Sequence, residues 1–244
     1  MSILQSRRAN IFVSDAGLFV DQNGTPVVVS NSVATWADLQ AIPKISAYND
    51  LIVLVTGIGP NGALFRYNHS ITMWVNLHPF MLYDVVFGAK GAGTLQVSSN
   101  GASARTFAPA TTPTIPAGML RAGSTLEIEA QVGRVSGVAG ASSIIIYLGT
   151  SATSTANSAI AGATLAATAA HVSNLNPMLS FSSTTKLTST YSVNPNSGSS
   201  SASIQDFTTN IDTASAMQAY VVANISTTGD VFELLRLAVK VNTI

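Results

Sequence analysis

Apolar and polar side chains alternate along several segments in the second half of the chain. Between residues 126 and 132, aliphatic residues and alanine alternate with glutamate and glutamine, and residues 217–225 and 235–241 alternate in the same way. Because successive side chains of a strand point to opposite faces, this pattern predicts strands with one buried face. Residues 144–148 are apolar at every position, which predicts a strand buried inside a sandwich.

Residues 231–241 allow two interpretations. A helix over this range is the alternative to a strand. The polar turn at 226–230 and the β-branched residues that follow favour the strand. We therefore predict that the chain ends in a hairpin.

Shorter signals organise residues 10–78. Thr35 stands three residues before Asp38, and a hydroxyl and a carboxylate at this spacing predict the start of a short helix, which Pro43 ends. Asn-Gly at 23–24, between apolar runs, predicts a tight hairpin. Strands are predicted at 51–55, 63–67 and 71–77, the last with its odd-numbered apolar residues on one face. These elements predict a small β-meander that carries one short helix.

The composition changes between residues 98 and 116, where alanine, serine, threonine and proline dominate. We predict an N-terminal β-rich module at 1–90, a linker or extended arm at 91–117, and a β-sandwich at 118–244. Proline removes a backbone donor, which favours an extended arm over a regular strand. Long polar segments at 150–158, 182–190 and 192–203 separate the later apolar runs, and the last of them is predicted to be a loop.

Many short strands with little helical periodicity predict an all-β protein, with a sandwich or jelly roll as its main domain. No repeat with a period of 20–50 residues is visible, which disfavours a β-propeller.

The surface chemistry excludes several classes of protein. Only 9% of the 244 residues are charged and the net charge is zero, while 30 serines and 25 threonines supply polar surface. A nucleic-acid binder needs a basic patch, and a disordered chain needs more charge and fewer apolar residues. No apolar run reaches the roughly 20 residues of a spanning helix, and no apolar core follows Arg7 and Arg8, so we expect no signal peptide. The sequence contains no cysteine. We predict no nucleic-acid partner and no membrane insertion, and a surface with little charge to oppose self-association.

No motif for catalysis or cofactor binding emerges. His69, His78 and His171 lack the spacing of a metal site, and no Gly-x-Ser-x-Gly motif occurs. The glycine-rich segment 88–93 lacks the Lys-Ser/Thr ending of a phosphate-binding loop, so we predict a turn or linker. We predict no catalytic residue, no metal and no cofactor.

Two glutamates deserve a separate test as a glycosidase pair. Glu127 and Glu129 lie two residues apart on one strand face, about 7 Å by strand rise, which would suit an inverting mechanism. No aromatic platform for a sugar lies near them in the sequence, so a solvated strand face is the favoured interpretation. A polysaccharide depolymerase is kept only as a third hypothesis.

Two parts of the chain resemble proteins of tailed bacteriophages. The residues behind the first resemblance are Thr35-Trp36-Ala37-Asp38-Leu39, residues 49–56, residues 62–68 and Trp74-Val75. They are similar to a small module of tail fibres and tailspikes, although Gly57 replaces an acidic residue and Asn68-His69-Ser70 replaces an Asn-Gly turn. Residues 118–244 are similar to the jelly-roll domains, related in fold to tumour necrosis factor, of phage fibres and head spikes. The segment 116–124 and the hairpin at 221–241 carry this second resemblance.

The resemblance implies a homotrimeric virion protein, assembled in the host bacterial cytoplasm, whose N-terminal module docks to other tail or capsid proteins. A short tail fibre or tail-tip protein that attaches to a host-surface glycan is the first hypothesis. A capsid decoration, cement or head-fibre protein that stabilises the shell is the second. The absence of cysteine fits assembly in a reducing cytoplasm.

The longest polar loop is the predicted receptor site. Tyr191 offers an aromatic face to a sugar ring, and Asn194 and Asn196 offer amide donors and acceptors to its hydroxyls. Loops carry binding residues more often than the strands that hold them. A solvated loop without a partner is the alternative.

Overall fold

The structure, a computed structural model, describes residues 12–13, 19–20, 32–89, 91–98, 103–109, 111–136, 142–165, 172–193, 203–226 and 229–243. The chain divides into two compact units, residues 1–78 and residues 79–244. No helix among the described residues is long and apolar enough to cross a membrane.

The first unit contains a four-stranded sheet and one short helix. Its strands are β1 (Phe12–Val13), β2 (Phe19–Val20), β3 (Ser32–Val33), β4 (Ile52–Val55), β5 (Ala63–Asn68) and β6 (Met73–Asn76), its helix is α1 (Trp36–Gln40), and short 3-10 turns occupy Ser46–Tyr48 and His69–Ile71. Strands β3, β4, β5 and β6 follow one another across the sheet, with β3 parallel to β4 and the other pairs antiparallel. Strands β1 and β2 form a separate antiparallel pair. The turn of the hairpin predicted around Asn-Gly lies outside the described residues.

The predicted helix start is confirmed at the level of its hydrogen bonds. The Asp38 backbone N–H donates to the Thr35 hydroxyl oxygen over 3.2 Å, and the Thr35 backbone N–H donates to the Asp38 carboxylate over 2.9 Å. Both halves of the capping box are therefore present. The helix places Trp36 and Leu39 in the core of the unit.

The strand predicted at 71–77 is shorter than expected, and its buried and exposed positions differ from the predicted alternation. Residues His69–Ile71 form a 3-10 turn, and Thr72 adopts a left-handed conformation with φ of +54°, so that the strand begins at Met73. The alternation across the turn is lost for this reason. Trp74 is buried instead of exposed, and its ring lies 5.3 Å from that of Tyr67.

The second unit is an antiparallel β-sandwich. Its strands are β7 (Phe80–Val86), β8 (Leu95–Ser98), β9 (Ser103–Thr106), β10 (Thr114–Ile115), β11 (Thr125–Ser136), β12 (Ser142–Gly149), β13 (Ser158–Leu165), β14 (Val172–Ser183), β15 (Lys186–Val193), β16 (Ser203–Phe207), β17 (Met217–Ile225) and β18 (Val231–Asn242), with a 3-10 turn at Ser154–Ala156. The long sheet has the order β16-β15-β14-β11-β18-β7, and β8 also pairs with β18. The short sheet has the order β10-β17-β12-β13, and β9 also pairs with β17.

The strand order is that of a jelly roll. Strands β7 and β8 both pair with β18 and can be taken as two parts of one strand, and β9 and β10 both pair with β17 and can be taken as two parts of the next. If the β15–β16 hairpin is treated as an addition, eight strands remain. In chain order, strands one, eight, three and six form one sheet, and strands two, seven, four and five form the other. This arrangement of two Greek keys in two sheets defines the fold. The predicted all-β class, with a sandwich as its main domain, is confirmed.

The boundaries of this sandwich differ from the predicted ones. The first two strands of the jelly roll come from residues 79–117, and the expected linker at 91–117 contributes β8, β9 and β10 to the sheets. These are short strands that pair along β17 and β18. Pro109, Pro113 and Pro116 lie outside the strands, where a missing N–H removes no ladder hydrogen bond.

The core between the two sheets follows the predicted alternation of β11. Its apolar residues Leu126, Ile128, Ala130 and Val132 are fully buried. In β12, however, only alternate positions are buried, and Ile145 and Tyr147 are half-exposed on the outer face. The prediction that residues 144–148 are buried on both faces was therefore wrong, since the outer face of the short sheet is not covered along its whole length.

The segments 231–242 and 182–190 both lie mainly in strands. Residues 231–242 form β18, which excludes the alternative helix. Most of the polar segment 182–190 lies in β14 and β15 and is not a connecting loop. Its serine and threonine side chains suit a half-exposed sheet, and the buried Ser189 hydroxyl donates to the Ile160 carbonyl oxygen over 2.8 Å.

Candidate binding site on the outer face of the long sheet

The polar positions of β11 and β18 meet on the outer face of the long sheet. The register of this antiparallel pair places Glu127 opposite Lys240 and Gln131 opposite Arg236. Glu129 lies opposite Ala238, the one small residue between the two cations. Alternation fixes which side chains face outward, and strand pairing fixes which of them meet.

Arg236 is held between two carboxylates. Its Nε and Nη2 donate to the two oxygens of Asp84 on β7 over 3.0 and 3.2 Å, and its Nη1 donates to Glu129 over 2.8 Å. Gln131 donates to the other oxygen of Glu129 over 3.0 Å. Hydrogen bonds to Asp84 are the main cause that raises the pKa of Arg236, so the guanidinium remains charged. The network fixes the positions of these side chains across three strands.

A hollow of about 210 Å³ opens between these side chains. It is lined by Met81, Glu127, Glu129, Arg236, Ala238 and Lys240. Ala238 is nearly fully buried and supplies a small side chain between the longer Arg236 and Lys240. The hollow therefore follows from one small residue placed among long ones.

A second hollow, also of about 210 Å³, adjoins the first. It is lined by Pro79, Thr125, Leu126, Glu127, Met178, Lys240, Val241 and Asn242. The two hollows share Glu127 and Lys240, whose carboxylate and ammonium lie 3.3 Å apart. Met178 is 54% exposed at the second hollow. Together they form a two-part depression with the Glu127–Lys240 ion pair between the parts.

The two glutamates have surroundings that suit binding better than general acid catalysis. The acid of a glycosidase is typically kept protonated in a hydrophobic pocket. The side chain of Glu127 is 50% exposed and contacts Lys240, and the side chain of Glu129 is 28% exposed and contacts Arg236. That the protein is not an enzyme stays a prediction, supported by these contacts.

In the glycine-rich segment, predicted to be a turn or linker, the Ala92 N–H donates to the Ala89 carbonyl oxygen over 2.9 Å, as in a turn, and two glycine N–H groups bind a carboxylate of the same chain. The backbone N–H groups of Gly91 and Gly93 donate to the two oxygens of Glu233, which is fully buried. A Cβ at Gly93 would lie only 2.7 Å from Glu233 Oε2, so a larger residue would displace the carboxylate. These backbone donors are therefore engaged within the protein.

A second buried charge lies at the other face of the long sheet. Arg134 and Asp230 form an ion pair between the two sheets, with side chains 0% and 1% exposed. The Arg134 guanidinium lies over the Phe232 ring, 5.6 Å from its centre, and Ser142 donates to the Asp230 carboxylate over 3.5 Å. Sequence reasoning assigned Asp230 to a polar turn and missed this pair, because a pairing across 96 residues leaves no local signal.

The predicted receptor loop is only partly described. Tyr191 lies in β15, opposite Pro177 on β14 and Ser203 on β16. Asn194, Asn196 and His171 lie outside the described residues. Among the residues that the structure describes, no group of three or more histidines and carboxylates is placed to hold a metal ion.

Comparison with protein-family models gives no match, and comparison with curated protein sequences gives none either. Among solved structures, the chain is similar to the CBM2 module of the evolved Dit of Lactobacillus casei BL23 phage J-1, with 11% identity over 68% of this chain and 97% of the module and a TM-score of 0.36. It is also similar to a chain of infectious bursal disease virus Gx strain, with 15% identity over 70% of this chain and 44% of that one and a TM-score of 0.23.

Proposed function

We propose that the protein is a non-enzymatic virion protein of a tailed bacteriophage, a short trimeric tail fibre or tail-tip protein that attaches to a glycan of the host surface. The observation that carries the proposal is the order of its two units. The residues that resemble a tail-fibre module form the first unit, and a jelly roll follows it. A fold alone does not define a function, so the residues of the first unit matter most.

The resembling residues make up the core of that unit. Trp36 packs against Phe65 with ring centres 5.2 Å apart, and Tyr67 packs against Trp74. Asp38 completes the capping box that starts the helix. These residues thus stabilise one small module together. Their shared role supports a resemblance in fold and not only in isolated residues.

The location of the protein in the virion tests the proposal. Antibodies raised against the purified full chain would be applied to intact particles of the phage that encodes it, and the labelled particles would be imaged by electron microscopy. Label at the tail tip supports the fibre assignment. Label distributed over the head would replace it with the decoration hypothesis, and unlabelled particles would contradict both.

The homotrimer is tested in solution. We expect size-exclusion chromatography with light scattering to give about 75 kDa, three times the chain mass of 25.2 kDa. Since the low charge of the chain favours apolar over ionic contacts between copies, the mass should not depend on salt. A single species of one chain mass at micromolar concentration would contradict the trimer.

A further inference from the structure

We propose that the two adjoining hollows on the outer face of the long sheet bind a neutral, hydroxyl-rich glycan of at least two sugar units. This inference rests on the proposed attachment function and names both the site and the class of ligand. The predicted receptor loop at Tyr191, Asn194 and Asn196 plays no part in it.

The balance of charge selects a neutral ligand. The cluster contains three carboxylates, Asp84, Glu127 and Glu129, and two cations, Arg236 and Lys240. An acidic sugar would meet the carboxylates and a basic one the cations, and like charges at close range disfavour binding. A ligand without charge avoids both costs.

The ion pair between the two hollows offers hydrogen bonds of both kinds. A lysine ammonium has three N–H donors and a carboxylate has about four acceptor positions. Only one contact joins Lys240 to Glu127, and both side chains are about half-exposed. The other N–H donors of Lys240 and the other acceptor positions of Glu127 can therefore bind a pair of neighbouring sugar hydroxyls, each of which can donate and accept.

Apolar surface for the sugar rings lies on both sides of this pair. Met81 and Ala238 line the first hollow, and Met178 lines the second. Binding sites for small ligands combine mostly apolar walls with a few placed polar groups. Arg236 is already fixed by Asp84 and Glu129, so one wall of the first hollow requires little ordering when the ligand binds.

The test uses the full chain on an array of neutral oligosaccharides of two to six hexose units, printed beside their uronic-acid and sulfated counterparts. We expect binding to neutral members. For the strongest binder, calorimetry should show affinity weakened about tenfold or more by Lys240→Met and by Glu127→Gln, because each change removes a charge-assisted hydrogen bond. Lys186→Met is the matched control, since Lys186 forms an ion pair with Asp206 at similar exposure on the same sheet.

Three results would overturn the inference: no binding of the wild type to neutral glycans, binding to acidic members alone, or equal affinity of the folded variants and the wild type. Unchanged unfolding temperatures establish that the variants are folded.

Adsorption of the same proteins to host cells separates the two proposals. If the Lys240→Met and Glu127→Gln variants adsorb to host cells as well as the wild type does, this site is wrong but the attachment function is not contradicted. If the wild-type protein binds the array but does not adsorb to host cells, only the attachment function is contradicted.

Discussion

Two arginines of the long sheet pair with aspartate in opposite surroundings. Arg134 on β11 faces the interior, where its side chain and that of Asp230 are almost completely buried. Arg236 on β18 faces outward, where its side chain and that of Asp84 are 30% and 32% exposed. The same chemical pair thus occurs once between the sheets and once on their outer surface, and the surroundings decide what each pair can do.

The comparison separates a structural role from a binding role. A buried charge that loses its partner is left in a medium that solvates it poorly, so the interior pair must stay intact for the fold. Exposed charges gain little from pairing because water and salt compete for them. The outer pair can therefore be altered with little effect on folding, which leaves its surroundings available for a ligand.

The largest effect is expected from breaking the interior pair. Arg134→Met should lower the free energy of unfolding by about 3–5 kcal/mol, because Asp230 remains buried without its partner. Urea unfolding followed by circular dichroism measures the loss. In the double variant Arg134→Met with Asp230→Leu, we expect most of the stability to return. If the double variant is as unstable as the single one, the lost contact and not the orphaned charge is responsible.

The next effect concerns the buried Glu233. Gly93→Ala should destabilise the protein by about 1–3 kcal/mol, because the added Cβ overlaps the carboxylate and the turn must move. Gly162→Ala is the control, since a Cβ there meets its nearest neighbours at an ordinary 3.6 Å. The melting temperatures of both variants are measured by thermal unfolding and compared with that of the wild type. Equal melting temperatures would show that the turn adjusts freely and that the carboxylate is not held by it.

A smaller effect is expected at the outer arginine. Arg236→Met should change the free energy of unfolding by about 1 kcal/mol or less, against the much larger loss at Arg134, and the change should shrink further at high salt. Urea unfolding at two salt concentrations measures it. A loss as large as that of Arg134→Met would remove the distinction between the two faces of the sheet.

The smallest effect belongs to a third pair, Lys186 and Asp206, whose side chains are 44% and 52% exposed. Hydrogen bonds from Lys186 and then from Thr188 hold the pKa of Asp206 below its ordinary value of 3.8. A carboxyl with a lowered pKa in the folded protein adds stability above its unfolded pKa and loses it as the pH falls through the folded value. We expect Lys186→Met to move the NMR titration midpoint of Asp206 upward. An unchanged midpoint would show that the ion pair is not formed in solution.

Local patterns in the sequence predicted the elements whose partners are close along the chain. The capping box needs only residues 35–38, and the buried face of β11 needs only the alternation at 126–132. The prediction failed at 71–77 and at 91–117. In the first case a left-handed residue interrupts the alternation, and in the second proline-rich composition hid short strands that depend on β17 and β18 for their hydrogen bonds.

The candidate site was predictable only in part. Glu127 and Glu129 drew attention as two carboxylates on one face, but their meaning depends on Lys240 and Arg236, more than 100 residues away. The predicted receptor residues Tyr191, Asn194 and Asn196 remain a prediction. Nothing in the local sequence around Asp84 or Ala238 marks them as neighbours of the same hollow.

By itself the sequence determined the all-β class, the alternation that divides core from surface and the charge-poor character of the chain. Only the tertiary structure decided that Gly91 and Gly93 hold Glu233, that Arg134 pairs with Asp230, and that a hollow opens over Ala238. The physical reason is the distance along the chain over which each interaction acts. Alternation and capping are set by neighbouring residues, whereas the register between distant strands is set by packing and hydrogen bonding summed over both sheets.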